Sequence, residues 1–292
     1  WRKTCDFIDL PSAPARQRPV GTHALIIPHA CGPVCLARAP HSNMTRLATD
    51  PSTATIPAML LAAGRGMRMR PLTDHTPKPL LAVHGQPLMQ WPMASLLAAG
   101  FRRFVVNTAW LGEQIDAFCA SWQTQHAGTH VAVSREGQDF GYALETAGGI
   151  ARALPLLGDV FWVLAGDVYV PGFAFSQASV AQFKASDRLA HIWLVPNPAH
   201  NPRGDFGLSA EGLALNEADQ KHTYSTIGLY RRELFEPPWC EILPGNPQGT
   251  AEPLAPLLRR AMDAGRVSAE LYSGPWVDVG TPQRLEELNG SA

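Results

Sequence analysis

Between Pro57 and Asn197 short apolar runs alternate with stretches of helical spacing, and few folds accommodate that order. "AMLLAA" (58–63), "FRRFVVNTA" (101–109), "HVAVSRE" (130–136), "VFWVLAGD" (160–167) and "LAHIWLVPN" (189–197) read as strands. Residues 87–100, 111–122, 145–157 and 173–187 carry apolar side chains at helical intervals, with Gly100 placed to cap the first helix. Strand and helix in turn predict an α/β fold: a doubly wound, mostly parallel, Rossmann-like sheet with helices on both faces and right-handed crossovers. Beyond Pro198 the rhythm changes. A hairpin is predicted over 204–215 with "AEG" at its turn, a strand at the start of 224–235, and an amphipathic helix over 253–265. A second hairpin is predicted over 267–280. A last helix follows over 281–289, with Thr281 as N-cap and Pro282 in its first turn.

Composition sets the outer limits. The chain has 292 residues, 46% of them hydrophobic, enough for a sizeable core. A net charge of -1 argues against a nucleic-acid binder. No apolar run approaches the ~20 residues needed to cross a bilayer, so no membrane partner is expected. Cys5, Cys31 and Cys35 fall near the start, and Cys119 and Cys240 stand well apart beyond them. That usage points to a reducing, cytoplasmic setting rather than a disulfide scaffold. Residues 1–56 carry few acids and no sustained period, and are expected to be a disordered N-terminal extension with a functional start at Met44. The globular domain is expected over 57–290. His29, Cys31, Cys35 and His41 are spaced too loosely for a zinc site, and chance is the preferred explanation. No obligatory protein partner is evident.

Chemistry concentrates in "LLAAGRGMRMRPLTDHTPKPLL" (60–81), where an apolar strand stops at a glycine-rich corner followed by Arg65, Arg68, Arg70 and Lys78. In open parallel sheets, ligands bind beyond the carboxyl ends of the strands. Gly64 and Gly66 admit close approach, and consecutive backbone N–H groups in such a loop form an anion-binding concavity. A polyphosphate fits these features. The loop lacks the Gly-Lys-Ser/Thr of a Walker A motif, and Met69 stands where a dinucleotide fingerprint needs its third glycine. A bare Gly-x-Gly is more often an ordinary turn, so the length of the stretch matters. Asp167 and Asp278 each end an apolar run, where a carboxylate has little packing reason to stand, although a cap or turn is the plainer role for either alone.

The ordered run Leu-Ala-Ala-Gly-x-Gly-x-x-Met-Arg-Pro-Leu-Thr, followed by Thr-Pro-Lys-Pro-Leu, resembles the signature of the sugar-1-phosphate nucleotidyltransferases. The resemblance extends over residues 57–290. It implies an enzyme that joins a nucleoside triphosphate to a sugar 1-phosphate and releases pyrophosphate. "VVNTAWLGEQI" (105–115), "LETAGGI" (144–150), "RGDF" (203–206) and "WVDVGT" (276–281) look like the N-acetylmuramate-1-phosphate uridylyltransferase group, which serves peptidoglycan recycling. The mannose-1-phosphate guanylyltransferases stand close to that group and remain the alternative.

The resemblance further implies Mg²⁺ held by Asp167 and Asp278, with UTP and the sugar phosphate as substrates. Arg70 would hold the departing β- and γ-phosphates, and Lys78 the α-phosphate. Gly64, Gly66, Met67 and Arg68 would cradle the phosphate chain. Asn107, Glu145, Thr146 and Gly148 would contact base or ribose, although Asn107 also suits a turn and Glu145 with Thr146 a helix cap. A C-terminal hairpin and helix region would bind the sugar. Many members carry Glu-Lys-Pro after the strand at 189–197; here "VPNPAHNPRGDF" leaves Arg203 as the nearest cation and Asn197 as a sugar contact. Arg65 reads as a solvated surface cation. A non-catalytic sugar-nucleotide sensor is countered by Arg70, Lys78, Asp167 and Asp278 standing together. A metal-dependent glycosyltransferase would show Asp-x-Asp, which "GDVYV" lacks, and a dehydrogenase lacks its glycine.

Overall fold

The structure, a computed structural model, describes residues 56–290. The expected extension, with His29, Cys31, Cys35, His41 and Met44, lies outside the described residues. The strands are β1 (Ala58–Leu61), β2 (Ala82–Val83), β3 (Gln86–Pro87), β4 (Arg103–Thr108), β5 (His130–Arg135), β6 (Val160–Ala165), β7 (Val168–Tyr169), β8 (Ala190–Val195), β9 (Gly207–Leu208), β10 (Ala214–Leu215), β11 (Thr223–Arg231), β12 (Val267–Leu271) and β13 (Val277–Asp278). The helices are α1 (Gln90–Ala98), α2 (Gly112–Gln125), α3 (Glu136–Phe140), α4 (Glu145–Ala153), α5 (Gln177–Ala185), α6 (Leu254–Asp263) and α7 (Pro282–Gly290).

The alternating runs form one seven-stranded sheet in the order β12-β8-β11-β6-β1-β4-β5. Only β11 runs against the others; it pairs antiparallel with both β6 and β8. β1 is central, with Ala58 paired to Phe104 on one side and to Trp162 on the other. Burial on both faces explains why its sequence is continuously apolar rather than alternating. Successive β1 side chains serve opposite layers, as a period of two requires. Leu60 packs with Met93 and Leu96 of α1, Ile115 and Trp122 of α2, and Phe183 of α5. Met59 joins Ile150 of α4 and Leu257 and Leu258 of α6 on the other face. Gly100 takes φ +87°, and Phe101 N–H reaches back to Leu96 O at 2.9 Å, closing α1 as predicted.

Two expectations need correction. The helix predicted from 173 starts at Gln177, because Phe173 and Phe175 are drawn into the core and Ser176 caps instead, its Oγ accepting from Ser179 N–H at 2.9 Å. The hairpin predicted over 267–280 does not form. β12 adds parallel to β8, and β13 pairs antiparallel with β7. Between them Tyr272 N–H donates to Leu194 O at 2.8 Å and its ring packs on Phe173, so the chain leaves the sheet edge instead of folding back. The β9–β10 hairpin stands as predicted, and α7 begins at Pro282, with Thr281 Oγ1 accepting from Arg284 N–H at 3.3 Å. No helix among the described residues is long and apolar enough to cross a membrane.

Candidate functional site

Six parallel strands bring their carboxyl ends to one edge of the sheet, and the sequence-predicted residues gather along that edge. The loop after β1 is a folded object. Gly66 adopts φ +66°, and a side chain there would press on Thr73 at 3.0 Å. Thr73 Oγ1 donates to Gly66 O at 2.9 Å and pins the turn. The backbone N–H groups of Ala63, Gly64, Arg65, Gly66 and Met67 donate to no acceptor among the described residues. They remain available to an anion, as a phosphate cradle requires.

The cations around this loop divide in two. Arg65 is not a freely solvated side chain. Its guanidinium stacks 3.6 Å from the Trp110 ring centre, donates to Thr73 O at 2.8 Å and pairs with Asp74 at 2.9 Å. Arg70, 54% exposed, reaches the same Asp74 oxygen at 2.8 Å. The hydrogen bond from Arg65, with Arg70 beside it, holds the Asp74 carboxyl below its ordinary value. One carboxylate thus tethers two arginines and leaves the pair with an excess positive charge. Arg68 is exposed and has no ion pair among the described residues.

Asn107 ends up behind this loop rather than in it. It is 3% exposed; its Oδ1 accepts from Ala62 N–H at 2.8 Å and its Nδ2 donates to Glu136 Oε1 at 2.7 Å. Glu136, 0% exposed, uses its second oxygen for Leu144 N–H at 2.7 Å. The expected base contact by Asn107 is therefore replaced by positioning: the amide ties β1's end to β4 and, through Glu136, to the entry of α4. Gly149 is where α4 passes over the pair, and a side chain there would stand 2.6 Å from Glu136 Oε1. Gly148 is likewise buried, packed against the backbone of Thr250 and Glu252, so its missing side chain makes room for protein rather than nucleotide. Glu145 and Thr146 do not cap α4 with their side chains. Glu252 O accepts from Ala147 and Gly148 N–H instead, and exposed Glu145 takes φ +58°. Glu136 carried no local sequence signal; only its burial among donors reveals it.

Glu136→Ala leaves two buried N–H groups without acceptors, at about 1–3 kcal/mol each. For a domain of this size the melting temperature is expected to fall by on the order of 10 °C, measured by calorimetry. Burial raises the Glu136 carboxyl above its ordinary 4.5, against the lowering effect of the Leu144 and Asn107 hydrogen bonds. The folded state thus keeps this proton to higher pH than the unfolded chain. The group's contribution to stability is greatest below 4.5 and declines as pH rises through the raised value. Non-titrating Glu136→Gln is expected to lose that slope in denaturant titrations across the same window.

The two acids predicted to hold metal lie side by side in the backbone. Gly166 N–H bonds Leu61 O at 2.9 Å, which sets Asp167 next to the loop after β1. Asp278 then lies opposite Val168 in the β7–β13 ladder, and Val279 N–H donates to Asp167 O at 3.0 Å. Both carboxylates hold cations. Lys78 Nζ pairs with Asp167 Oδ2. Arg284 Nη1 and His200 Nε2, the latter at 3.0 Å, converge on Asp278 Oδ1. Those contacts leave the other oxygen of each carboxylate for a further cation. Among the described residues no cluster of three or more His, Cys, Asp or Glu could hold a metal alone. Two hard carboxylates completed by substrate phosphates are the donor set magnesium uses. Lys78 bridges the halves of the site, since its Cβ also packs 3.3 Å from the position a Gly66 side chain would occupy.

On the β8 side, Asn197 is spent on the protein. Its Nδ2 donates to Lys221 O at 2.9 Å and its Oδ1 accepts from Thr223 Oγ1 at 3.0 Å, bracing the 197–205 loop. Arg203 is exposed on that loop with no ion pair among the described residues. A cavity of about 260 Å³ opens between this loop, Trp276, Asp278 and α7, with Arg284 and His200 on its wall.

The chain matches the family model described as "Nucleotidyl transferase" over residues 57–291. It is 45% identical over 241 residues to N-acetylmuramate alpha-1-phosphate uridylyltransferase from Neisseria meningitidis serogroup B, covering 80% of this chain and 97% of that protein. It is 31% identical to the protein of the same name from Caulobacter vibrioides over 233 residues, covering 77% and 92%. Among solved structures, a sucrose-bound protein from Bacillus anthracis matches with TM-score 0.66 at 21% identity, over 82% of this chain and 95% of that one. The inositol-1-phosphate CTP transferase from T. maritima matches with TM-score 0.59 at 20% identity, over 81% and 96%. These two likenesses concern the fold.

Proposed function

Because the chain belongs to the nucleotidyl transferase family and is a sugar-1-phosphate nucleotidyltransferase, we propose that it joins UTP to N-acetylmuramate 1-phosphate, giving UDP-N-acetylmuramate and pyrophosphate. The identity to two relatives of that activity supports the substrate pair. The observation that carries the chemistry is the juxtaposition of an amide-lined loop, flanked by arginines, with Asp167 and Asp278. The setting proposed is cytoplasmic peptidoglycan recycling.

The attacking group is already an anion at neutral pH, so no protein nucleophile or general base is needed. What must be overcome is repulsion between two phosphates and charge growth on the leaving pyrophosphate. Arg70, held near the loop by Asp74, would take the β- and γ-phosphates, while loop amides from Gly64 to Met67 would orient the chain. Lys78, 11% exposed and anchored on Asp167, would neutralise the α-phosphate where the new bond forms. Asp167 and Asp278 would hold Mg²⁺, which when bound supplies Lewis-acid charge stabilisation. Preorganised charge of this kind is usually the largest catalytic term. Exposed Arg203 is proposed as a phosphate contact on the sugar side.

Pyrophosphate release is the test, run over UTP, GTP and dTTP against muramyl, glucosaminyl, glucosyl and mannosyl 1-phosphates. UTP with N-acetylmuramate 1-phosphate is expected to give the highest kcat/KM. A preference for GTP with mannose 1-phosphate would replace the substrate assignment and keep the class. No magnesium-dependent release with any pair would favour a sensor.

A further inference from the structure

N-Acetylmuramate differs from N-acetylglucosamine by a lactyl ether on the sugar, a three-carbon arm ending in a carboxylate. A site that prefers the first must receive that extra negative charge. We propose that Arg284, assisted by His200, is the carboxylate receptor that selects the acidic sugar; this rests on the substrate reading above. Arg284 springs from the first turn of α7, is 17% exposed, and lies along the buried backbone of Gly280, where a Cβ would stand 2.5 Å from Nη2. The glycine is what lets the guanidinium lie flat there. Its Nη1 is spent on Asp278, on Oδ1 and, at 2.9 Å, on the carbonyl oxygen. Its Nη2 has no acceptor among the described residues. His200 stands beside it, its Nε2 3.1 Å from Nη1 and 3.0 Å from Asp278 Oδ1. Arg284 and His200 therefore share one carboxylate oxygen, and the Nη2 of Arg284 has no acceptor among the described residues, in a side chain that lines a cavity. A planar guanidinium with free donors is the group best matched to a carboxylate.

The cavity is placed correctly for this arm. It borders Asp278, so on this proposal a sugar whose anomeric phosphate reaches the two acids would extend its ring into it. Its volume of about 260 Å³ corresponds to roughly nine waters at ~30 Å³ each, room enough for a lactyl group. Trp276, Val277, Pro198 and Leu288 supply an apolar lining for the lactyl methyl, and Glu287 stands on the same wall, so the receptor role falls on Arg284 alone among its cations. Trp276 is fixed by its Nε1–H to Ser225 O at 3.1 Å.

The test compares kcat/KM for N-acetylmuramate 1-phosphate with that for N-acetylglucosamine 1-phosphate, with UTP and Mg²⁺, in wild type, Arg284→Gln, Arg284→Lys and His200→Gln. Arg284→Gln is expected to cut the muramyl-to-glucosaminyl ratio by about 10- to 100-fold, the scale of one lost hydrogen-bonded charge. The loss should appear in KM for the muramyl substrate, with KM for UTP unmoved. Arg284→Lys should recover part of the ratio, and His200→Gln should lower it less. A general disturbance of Asp278 would lower both rates together and leave the ratio intact, which overturns the proposal. If Arg284→Gln fails to fold, an Arg284→Lys ratio equal to wild type overturns it as well. A wild type that prefers the neutral sugar overturns the substrate reading itself, whereas a wild-type muramyl preference untouched by Arg284→Gln overturns only the role of Arg284.

Discussion

Asp167→Asn is expected to lower kcat/KM by on the order of 10³, since a metal-held charge supplies several kcal/mol to the transition state and each 1.4 kcal/mol is about tenfold. The side chain has no packing duty that asparagine cannot perform. Val279 N–H bonds the Asp167 backbone carbonyl, which the substitution keeps, so the β7–β13 ladder should survive. What changes is charge. Lys78, 11% exposed, loses its anionic partner, and the proposed metal site loses one of its two carboxylates. The expected pattern is a large kinetic loss, a melting temperature lowered by only a few degrees, and Mn²⁺ affinity weakened in calorimetry. Asp278→Asn should match it in size. A loss of less than about tenfold in either variant would remove that carboxylate from the reaction.

Arg70→Ala is expected to cost on the order of 10²–10³ in kcat/KM, the scale of one preorganised donor removed from a developing oxyanion, with almost no change in stability. Arg70 is 54% exposed, and its ion pair with Asp74 is a surface pair; such pairs contribute about 0–1 kcal/mol. Arg65→Ala provides the contrast. Arg65 is 28% exposed, stacked on Trp110 and bonded to Thr73 O, so its removal loosens the loop from several sides. Its effect should fall more on melting temperature and less on rate. Steady-state kinetics and calorimetry on both variants decide it; equal kinetic losses would mean that both arginines meet the phosphates.

The sheet was readable in advance because its strands are apolar in a way that only two-sided burial explains, as Met59 and Leu60 show by serving opposite layers. The fold of the loop after β1 was readable because Gly66 needs its backbone angle and the cations cluster locally. Asp278 was found as a residue but not as a position. Nothing near it says that β13 will desert β12 for β7, since that choice depends on Leu194 and Phe173, far away in the chain. Asn107 and Gly148 stood in the right phrases and took different roles. Whether an asparagine faces ligand or protein is decided by a distant partner, here Glu136, which arrives with α3. Arg284 lay within a helix whose sequence showed only its cap, and its contact with Asp278 depends on how α7 meets β13.

A crystal of the protein with UTP and Mn²⁺, examined by anomalous scattering, bears most directly on the claim that one pocket draws mutually repelling phosphates together. The manganese peak is expected between Asp167 and Asp278, with the triphosphate against the amides of Gly64 to Met67 and within reach of Arg70. A manganese peak on neither aspartate, or triphosphate density away from the loop after β1, would contradict it.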